Sequence, residues 1–305
     1  MPKCMENDKT PKRFALMGAA GYIAPRHLRA IKDTGNLLVA AYDPFDSVGI
    51  MDSFFPRAAF FTDASLFEQF LYAERQQGRP IDYVVVCTPN YLHHAHILTG
   101  LRLGAQVICE KPLVLQASEL EDLARAEQES GCRVYTILQL RLHEAIVALK
   151  KRIDESPANK TYHINLRYIT SRGSWYHTSW KGDVRKSGGL ATNIGVHFFD
   201  MLFWIFGPLR SQELQRISSD SVSGRLELER ARVDYLLSIN EDLLPEEAKA
   251  AGKRTFRSLR LEGQEIEFSE GFTELHTESY RRILQGEGFG LNDVSEAIRA
   301  VAGMR

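Results

Sequence analysis

At 305 residues the chain can hold two ordinary domains and a substantial core. Its 44% apolar and 25% charged residues are normal for a globular protein, and the net charge of −1 lacks the basic excess of a nucleic-acid binder. No stretch approaches the ~20 apolar residues that span a bilayer, so neither nucleic acid nor membrane is an expected partner.

The opening "MPKCMENDKTPKRF" is charged and broken by Pro2 and Pro11, without the apolar run of a signal peptide or anchor. It reads as a loose leader over 1–12. Apolar runs at 14–17, 37–42, 82–87, 106–109 and 133–138 then predict strands. Helical patterns at 23–34, 65–77, 93–103 and 118–130 fall between them, two opening with the capping boxes Ser65–Glu68 and Ser118–Glu121. Strands without polar alternation suit a parallel sheet covered on both faces, so 13–140 reads as a doubly wound Rossmann-type α/β domain. The pattern changes after about residue 140. A helix over 142–154 leads to "TYHINLRYIT", where Tyr162, Ile164, Leu166 and Tyr168 alternate as in a strand with one wet face. Alternation returns at 233–239 and around the Gly263 turn, and helices are predicted near 273–285 and 292–302. Residues 141–305 therefore read as an α+β domain with a mostly antiparallel sheet. Cys4, Cys87, Cys109 and Cys132 form no CxxC pair and read as reduced thiols of a cytoplasmic protein.

The corner at 18–24 carries the first functional signal. Gly18-x-x-Gly21-x-x-Ala24 departs from the strict G-x-G-x-x-G and could be a glycine-rich corner with no ligand. It nonetheless follows the first strand and opens the first helix, where glycines let backbone approach a pyrophosphate. The second strand ends in Asp43, placed to bond a ribose 2′-OH and to repel a 2′-phosphate, which favours NAD over NADP. The weaker alternative makes Asp43 a turn residue before Pro44.

Two further strands end in "CTPNYLHH" (87–94) and "CEKPL" (109–113), and ligands collect at the carboxyl ends of such strands. With the glycine turn and "GGLATNIGVHFFD" (188–200), these motifs resemble the Gfo/Idh/MocA oxidoreductase family over nearly the whole chain. The resemblance implies a Rossmann domain followed by an α/β domain whose sheet often packs in a homo-dimer or homo-tetramer. It implies that Lys111 and His197 face the nicotinamide and that Thr88, Asn90 and His93 lie near it and its ribose. It also implies cofactor contacts for Gly18, Gly21, Tyr22, Ile23, Asp43, Pro89, Glu110, Trp180 and Lys181. One departure is Asn193, where the family often has Asp. Within the family, "GAAGYIAPRH", "ICEKPLV", "ITSRGSWY" and "ATNIGVHFFDML" look like the enzymes that oxidise C3 of UDP-N-acetylglucosaminuronic acid for lipopolysaccharide diacetamido-uronic acid sugars. That likeness implies this UDP-sugar as substrate, NAD as oxidant and a 3-keto sugar as product.

The residues offer independent support. The run 190–207 is almost wholly apolar, and Asn193, His197 and Asp200 stand out at spacings of four and three, as one stripe facing a polar network or a cleft. Histidine suits proton removal near neutrality, while lysine needs a depressed pKa to do so. His197 is thus the expected base for the C3 hydroxyl, with Lys111 bonding that oxygen; the reverse assignment stays open. The segment 172–186 mixes Arg172, Lys181, Arg185 and Lys186 with Trp175, Tyr176 and Trp180, apt for a diphosphate, a base and a uronate. Substrate contacts are expected from Lys111, Arg172, Tyr176, Asn193 and His197. Arg141 could reach the site or form a salt bridge. H-x-H spacing puts His94 and His96 on different helix faces, so no metal site is expected. Rival readings are another sugar or inositol dehydrogenase of this fold, or a non-catalytic NAD-binding regulator. Whether NADH leaves or is reoxidised in place by a 2-oxo acid is open.

Overall fold

The structure, a computed structural model, describes residues 10–268, 271–272 and 274–304. Of the expected leader only 10–12 fall in that range, and Cys4 lies outside it.

The first half comprises β1 (Arg13–Met17), α1 (Ala24–Asp33), β2 (Leu37–Tyr42), β3 (Ala59–Phe61), α2 (Ala64–Gln76), β4 (Tyr83–Val86), α3 (His93–Arg102), β5 (Gln106–Cys109), α4 (Ala117–Ser130) and β6 (Val134–Thr136). The six strands form one parallel sheet ordered β3-β2-β1-β4-β5-β6. Alternate residues of β1 feed opposite cores. Phe14 and Leu16 pack with Leu28 and Ile31 of α1, and Ala15 and Met17 with Phe67 and Leu71 of α2. Burial on both faces is why these strands carry no polar alternation. The three-residue β3 is too short to leave a sequence pattern.

Two helix starts differ from the capping-box reading. Asp63, not Ser65, caps α2 and accepts from the Leu66 amide at 3.0 Å. At α4 the Glu119 carboxylate accepts from the amides of Gln116 and Leu115 at 2.7 and 3.0 Å, so the helix begins ahead of Ser118. An ionised acceptor within reach of free helix-start amides outcompetes a hydroxyl.

The second half runs α5 (Glu144–Asp154), β7 (Tyr162–Thr170), the one-turn helices α6 (Trp175–Thr178) and α7 (Val184–Ser187), then α8 (Val196–Phe206), entered through a π-turn at Ala191–Gly195. There follow β8 (Leu209–Ile217), β9 (Ser221–Leu228), β10 (Ala231–Ser238), α9 (Glu246–Ala250), β11 (Thr255–Leu261), β12 (Gln264–Glu265), α10 (Leu275–Leu284) and α11 (Leu291–Ala302). The second sheet is ordered β12-β11-β7-β10-β9-β8, with only β7 and β10 parallel. This is the Rossmann plus mostly antiparallel α+β architecture that the sequence pattern implies. The strands β8 and β9 add to it. Nearly every residue of β8 is exposed, which removes the apolar periodicity that reveals a strand.

One face of this sheet, with Ile164, Leu166, Val233 and Leu237, packs on α5 and α8; the other presents His163, Asn165, Arg167, Arg232 and Asp234 to solvent. The segment Val184–Phe206 is, against the compositional expectation, long and apolar enough to cross a bilayer, but 78% of its most apolar window is buried inside the protein. Cys87, Cys109 and Cys132 are buried free thiols, as expected.

The chain finally returns to the first sheet. Tyr280 of α10, fully buried, stacks on Phe14 of β1 with ring centroids 5.9 Å apart. The Thr136 amide of β6 donates to the Phe289 carbonyl at 2.9 Å.

Candidate active site

Three strand ends of the first sheet meet at one edge. After β1, Gly18 takes φ +94°, and its amide donates to the Tyr42 carbonyl at 2.8 Å. A Cβ there would lie 2.7 Å from the Cys87 carbonyl carbon and oxygen, so only glycine lets this turn press against the end of β4. The Ala20 amide donates to Asp43 Oδ2 at 2.9 Å, and the Phe45 amide to Asp43 Oδ1 at 3.0 Å. The carboxylate therefore braces the turn it faces, a duty its place in the sequence does not reveal. The N-terminus of α1 opens beside it.

Beyond β4, His93 is a strut. Its Nδ1 lies 2.7 Å from the Pro112 carbonyl and its Nε2 2.8 Å from that of Thr88, tying the two motif loops together. Beyond β5, Glu110 turns away from solvent. Its Oε1 is bonded to Nε2 of His27 and Nε2 of His276, both at 3.0 Å, and Oε2 accepts from the Lys111 amide at 3.2 Å. Burial works against this carboxylate, but hydrogen bonds from His27 and His276 hold it well below the usual range. His27 in turn is bonded to the Tyr280 hydroxyl at 2.8 Å. Lys111 is left facing a cavity.

That cavity, of about 760 Å³, lies between the two sheets. It is lined by Gly18, Gly21, Tyr22, Ile23, Asp43, Thr88, Pro89, Asn90, His93, Glu110 and Lys111 from the first half. The second half contributes Arg172, Tyr176, Trp180, Lys181, Asn193 and His197. The residues expected to contact cofactor or substrate thus border one space, whereas Trp175, Arg185 and Lys186 of the aromatic-and-basic segment do not line it. Burial lowers the Lys111 pKa, helped by Arg172 and Arg26 and opposed by Glu110. Burial also drives His197 well below its ordinary value, with Lys111 and Arg257 adding to the effect. His197 is thus a neutral imidazole, and its buried Nδ1 has no hydrogen-bond partner among the described residues. A hydrogen-bond chain crosses the cavity floor: the Asn90 amide donates to Asn193 Oδ1 at 3.2 Å, and the Asn193 amide to the Tyr176 hydroxyl at 3.0 Å. Asn193, in the place of a carboxylate, leaves the Tyr176 proton free to donate. Lys181 Nζ sits 5.5 Å from the rings of both Trp175 and Trp180.

Asp200 leaves the expected stripe. Three residues along a helix rotate a side chain about 60° away, and Asp200 is buried with both oxygens on Arg141, at 2.7 and 2.9 Å. Arg141 therefore forms the salt bridge rather than joining the site. His94 and His96 also part, His96 to the Thr88 hydroxyl at 2.9 Å and His94 to Asp122 at 3.7 Å. The described residues do bring His27, Glu110 and His276 within ligating distance of one another, though the Glu110 hydrogen bonds already account for the cluster. Missed in the sequence were Arg26, Tyr168, Arg257 and Phe272, all lining the cavity. Arg26, one turn from the glycines, was within reach of sequence reasoning; Tyr168 and Arg257 depend on strand register, and Phe272 on the path of the chain between β12 and α10.

The glycine cradle, the braced carboxylate and a long cavity ending at a neutral imidazole fit a dinucleotide, and they define an oxidoreductase of two-domain Rossmann type. Residues 12–138 match the NAD-binding Rossmann fold of the Gfo/Idh/MocA oxidoreductase family and residues 157–242 its C-terminal alpha/beta domain. The chain belongs to that family. It is similar to the WlbA (WbpB) dehydrogenase of Thermus thermophilus, solved with NAD and α-ketoglutarate (52% identity, TM-score 0.93, covering 95% of this chain and 94% of that one). The same dehydrogenase with NAD and UDP-GlcNAcA gives 50% identity and TM-score 0.93 over 96% and 94% of the two chains. A curated relative, the inositol 2-dehydrogenase of Rhizobium meliloti (strain 1021), is 25% identical over 64% of this chain and 55% of its own length. The chain spans about half the length of the first curated relatives it matches.

Proposed function

We propose that this protein is an NAD-dependent dehydrogenase that oxidises the C3 hydroxyl of UDP-N-acetylglucosaminuronic acid to the 3-keto sugar. The observation that carries the reading is the meeting of Lys111 and His197 in one cavity, with the Gly18 cradle and a wall of Arg172, Tyr176, Trp180 and Lys181. When bound, NAD supplies the acceptor for the hydride of the carbinol carbon.

The chain's own residues handle the rest. Gly18, Gly21, Tyr22 and Ile23 cradle the cofactor phosphates, Asp43 takes the ribose hydroxyls, and the loop Thr88–Asn90 shapes the cavity beyond them. His197, held neutral by burial, accepts the C3 hydroxyl proton through the part of its ring that lines the cavity. Lys111 donates to the same oxygen and stabilises its growing negative charge. Arg172 and Lys181 meet the diphosphate, and Tyr176 and Asn193 bond the sugar. The anion-rich substrate suits a cavity lined by Arg26, Lys111, Arg172, Lys181 and Arg257, whose carboxylates Asp43 and Glu110 are already engaged. An uncharged inositol offers these cations no anionic group. The α-ketoglutarate held by the Thermus protein supports internal reoxidation of NADH by a 2-oxo acid. The buried, unpaired thiols support a cytoplasmic setting, within lipopolysaccharide sugar synthesis. The open polar face of the second sheet supports packing as a homo-dimer or homo-tetramer.

The test mixes protein, NAD and UDP-N-acetylglucosaminuronic acid, following NADH absorbance and the sugar mass together. The expected result is loss of two mass units from the sugar, even where absorbance stays flat through recycling. An unchanged sugar, with or without added α-ketoglutarate, refutes the reading.

A further inference from the structure

Arg257 of β11 pairs across the sheet with Tyr168 of β7 and lines the cavity. Its guanidinium is caged by rings, with Phe272, Phe268 and Tyr168 centroids at 4.4, 5.4 and 5.5 Å. Nη1 donates to the Phe268 carbonyl at 3.2 Å, and Tyr168 and Glu267 also act on the guanidinium. The ring cage also removes the side-chain freedom that a surface arginine would lose on binding.

The cations fall into two groups. Tyr168, which lies under Arg257, packs on Phe198, the chain neighbour of His197, with ring centroids 4.8 Å apart, whereas Arg172 lies past the end of β7 at Thr170. Arg257 thus stands on the imidazole side of the cavity, and Arg172 farther along it. A pyranose whose C3 hydroxyl sits between Lys111 and His197 turns its ring oxygen away, with C1 and C5 flanking that oxygen. A diphosphate on C1 and a carboxylate on C5 leave in different directions and need separate receptors.

We propose that Arg257 is the carboxylate receptor of the cavity and makes the enzyme select a uronate over the corresponding hexose. The proposal rests on the substrate reading above and deepens it. Planar forked donors match a carboxylate better than a point charge does. A 2-oxo acid carries the same group, so the test separates the two ligands.

The NAD-loaded full chain is titrated calorimetrically with UDP-N-acetylglucosaminuronic acid and with UDP-N-acetylglucosamine, and the NADH-loaded chain with α-ketoglutarate. The unaltered protein is expected to favour the uronate by about 10- to 100-fold. Arg257→Gln should abolish that preference by weakening the uronate alone, and Arg257→Lys should keep part of it. Arg172→Gln should weaken both sugar nucleotides together, because both carry the diphosphate. NAD affinity and melting temperature equal to the parent's establish that the Arg257→Lys loss is local. The proposal is overturned if Arg257→Gln keeps the preference, weakens both sugars equally, or affects α-ketoglutarate alone. It also falls if Arg172→Gln is the variant that erases the preference. Failure of the unaltered protein to bind either sugar nucleotide removes the substrate reading itself, an outcome visible before any variant is made.

Discussion

The roles proposed for Lys111 and His197 make opposite demands on their protonation states. Burial and the flanking cations push both pKa values down, His197 well below 6.5 and Lys111 from 10.5. A base whose folded pKa is depressed stays neutral as pH falls, so kcat/KM should remain level through pH 6.5, where an ordinary imidazole begins to switch off. If Lys111 must carry its proton to stabilise the oxyanion, activity should decline on the alkaline side before pH 10.5. A pH profile checks both limbs, and an acid limb centred at 6.5 would remove His197 as the base. Gly18 is a second residue-scale case. Its φ of +94° and the 2.7 Å approach to Cys87 forbid a Cβ, so Gly18→Ala should weaken NAD binding and cost at least about 1 kcal/mol of stability. Thermal melting with and without NAD measures both. Gly18, Lys111 and His197 were legible because each sits in a short motif whose chemistry depends on backbone next to it. Arg257 was not, since its neighbours Tyr168 and Phe272 are remote in the chain.

Among elements, the junction of α1, the end of β5 and α10 is held by a buried ionic cluster. Burial lowers the His27 pKa, but neighbouring Cys87 and Glu110 more than reverse this and raise it to about 9. A raised histidine pKa contributes stability that is complete below its unfolded value of about 6.5 and lost as pH climbs through about 9. The melting temperature should therefore drop between pH 6.5 and 9, an effect worth about 3 kcal/mol. His27→Gln should flatten that slope while lowering stability at neutral pH. If the slope is unchanged in His27→Gln, the cluster is not its source. The strands β1, β2, β4 and β5 were readable since each carries an unbroken apolar run, the mark of burial on both faces. β8 was not, since its polar residues face solvent along nearly its whole length. Asp200 left its expected face because Arg141, 59 residues away, outbids the cleft for it.

On the scale of the whole molecule, the two sheets share one continuous core, and the chain closes on itself. Residues from α2, α3 and α4 pack in the same cluster as α8, α11 and the second sheet. Tyr280 fills the opposite face of the first sheet, against Phe14, and Phe289 extends the edge at β6. A fragment ending at residue 140 would lose all these partners and expose Phe14 and the α4 face. Such a fragment should show no cooperative thermal transition by circular dichroism and no measurable NAD binding, whereas the full chain should show both. A sharp transition in the fragment would make the return of α10 an accessory contact.

What the sequence determined by itself was whatever depends on neighbours along the chain. This covers the alternation of strand and helix, the glycine corner that admits no Cβ, the strand ends bearing Thr-Pro-Asn and Glu-Lys-Pro, and the imidazole on an apolar helix. These follow from local backbone sterics and the periodicity of burial, which act over a few residues. Tertiary structure alone decided which charges meet. It turned Glu110 inward onto His27 and His276, gave Asp200 to Arg141, and set Arg257 over Tyr168 and Phe272. Electrostatic and hydrogen-bonding partners in a desolvated interior are chosen by distance in space, and distance in space is set by the packing of whole sheets.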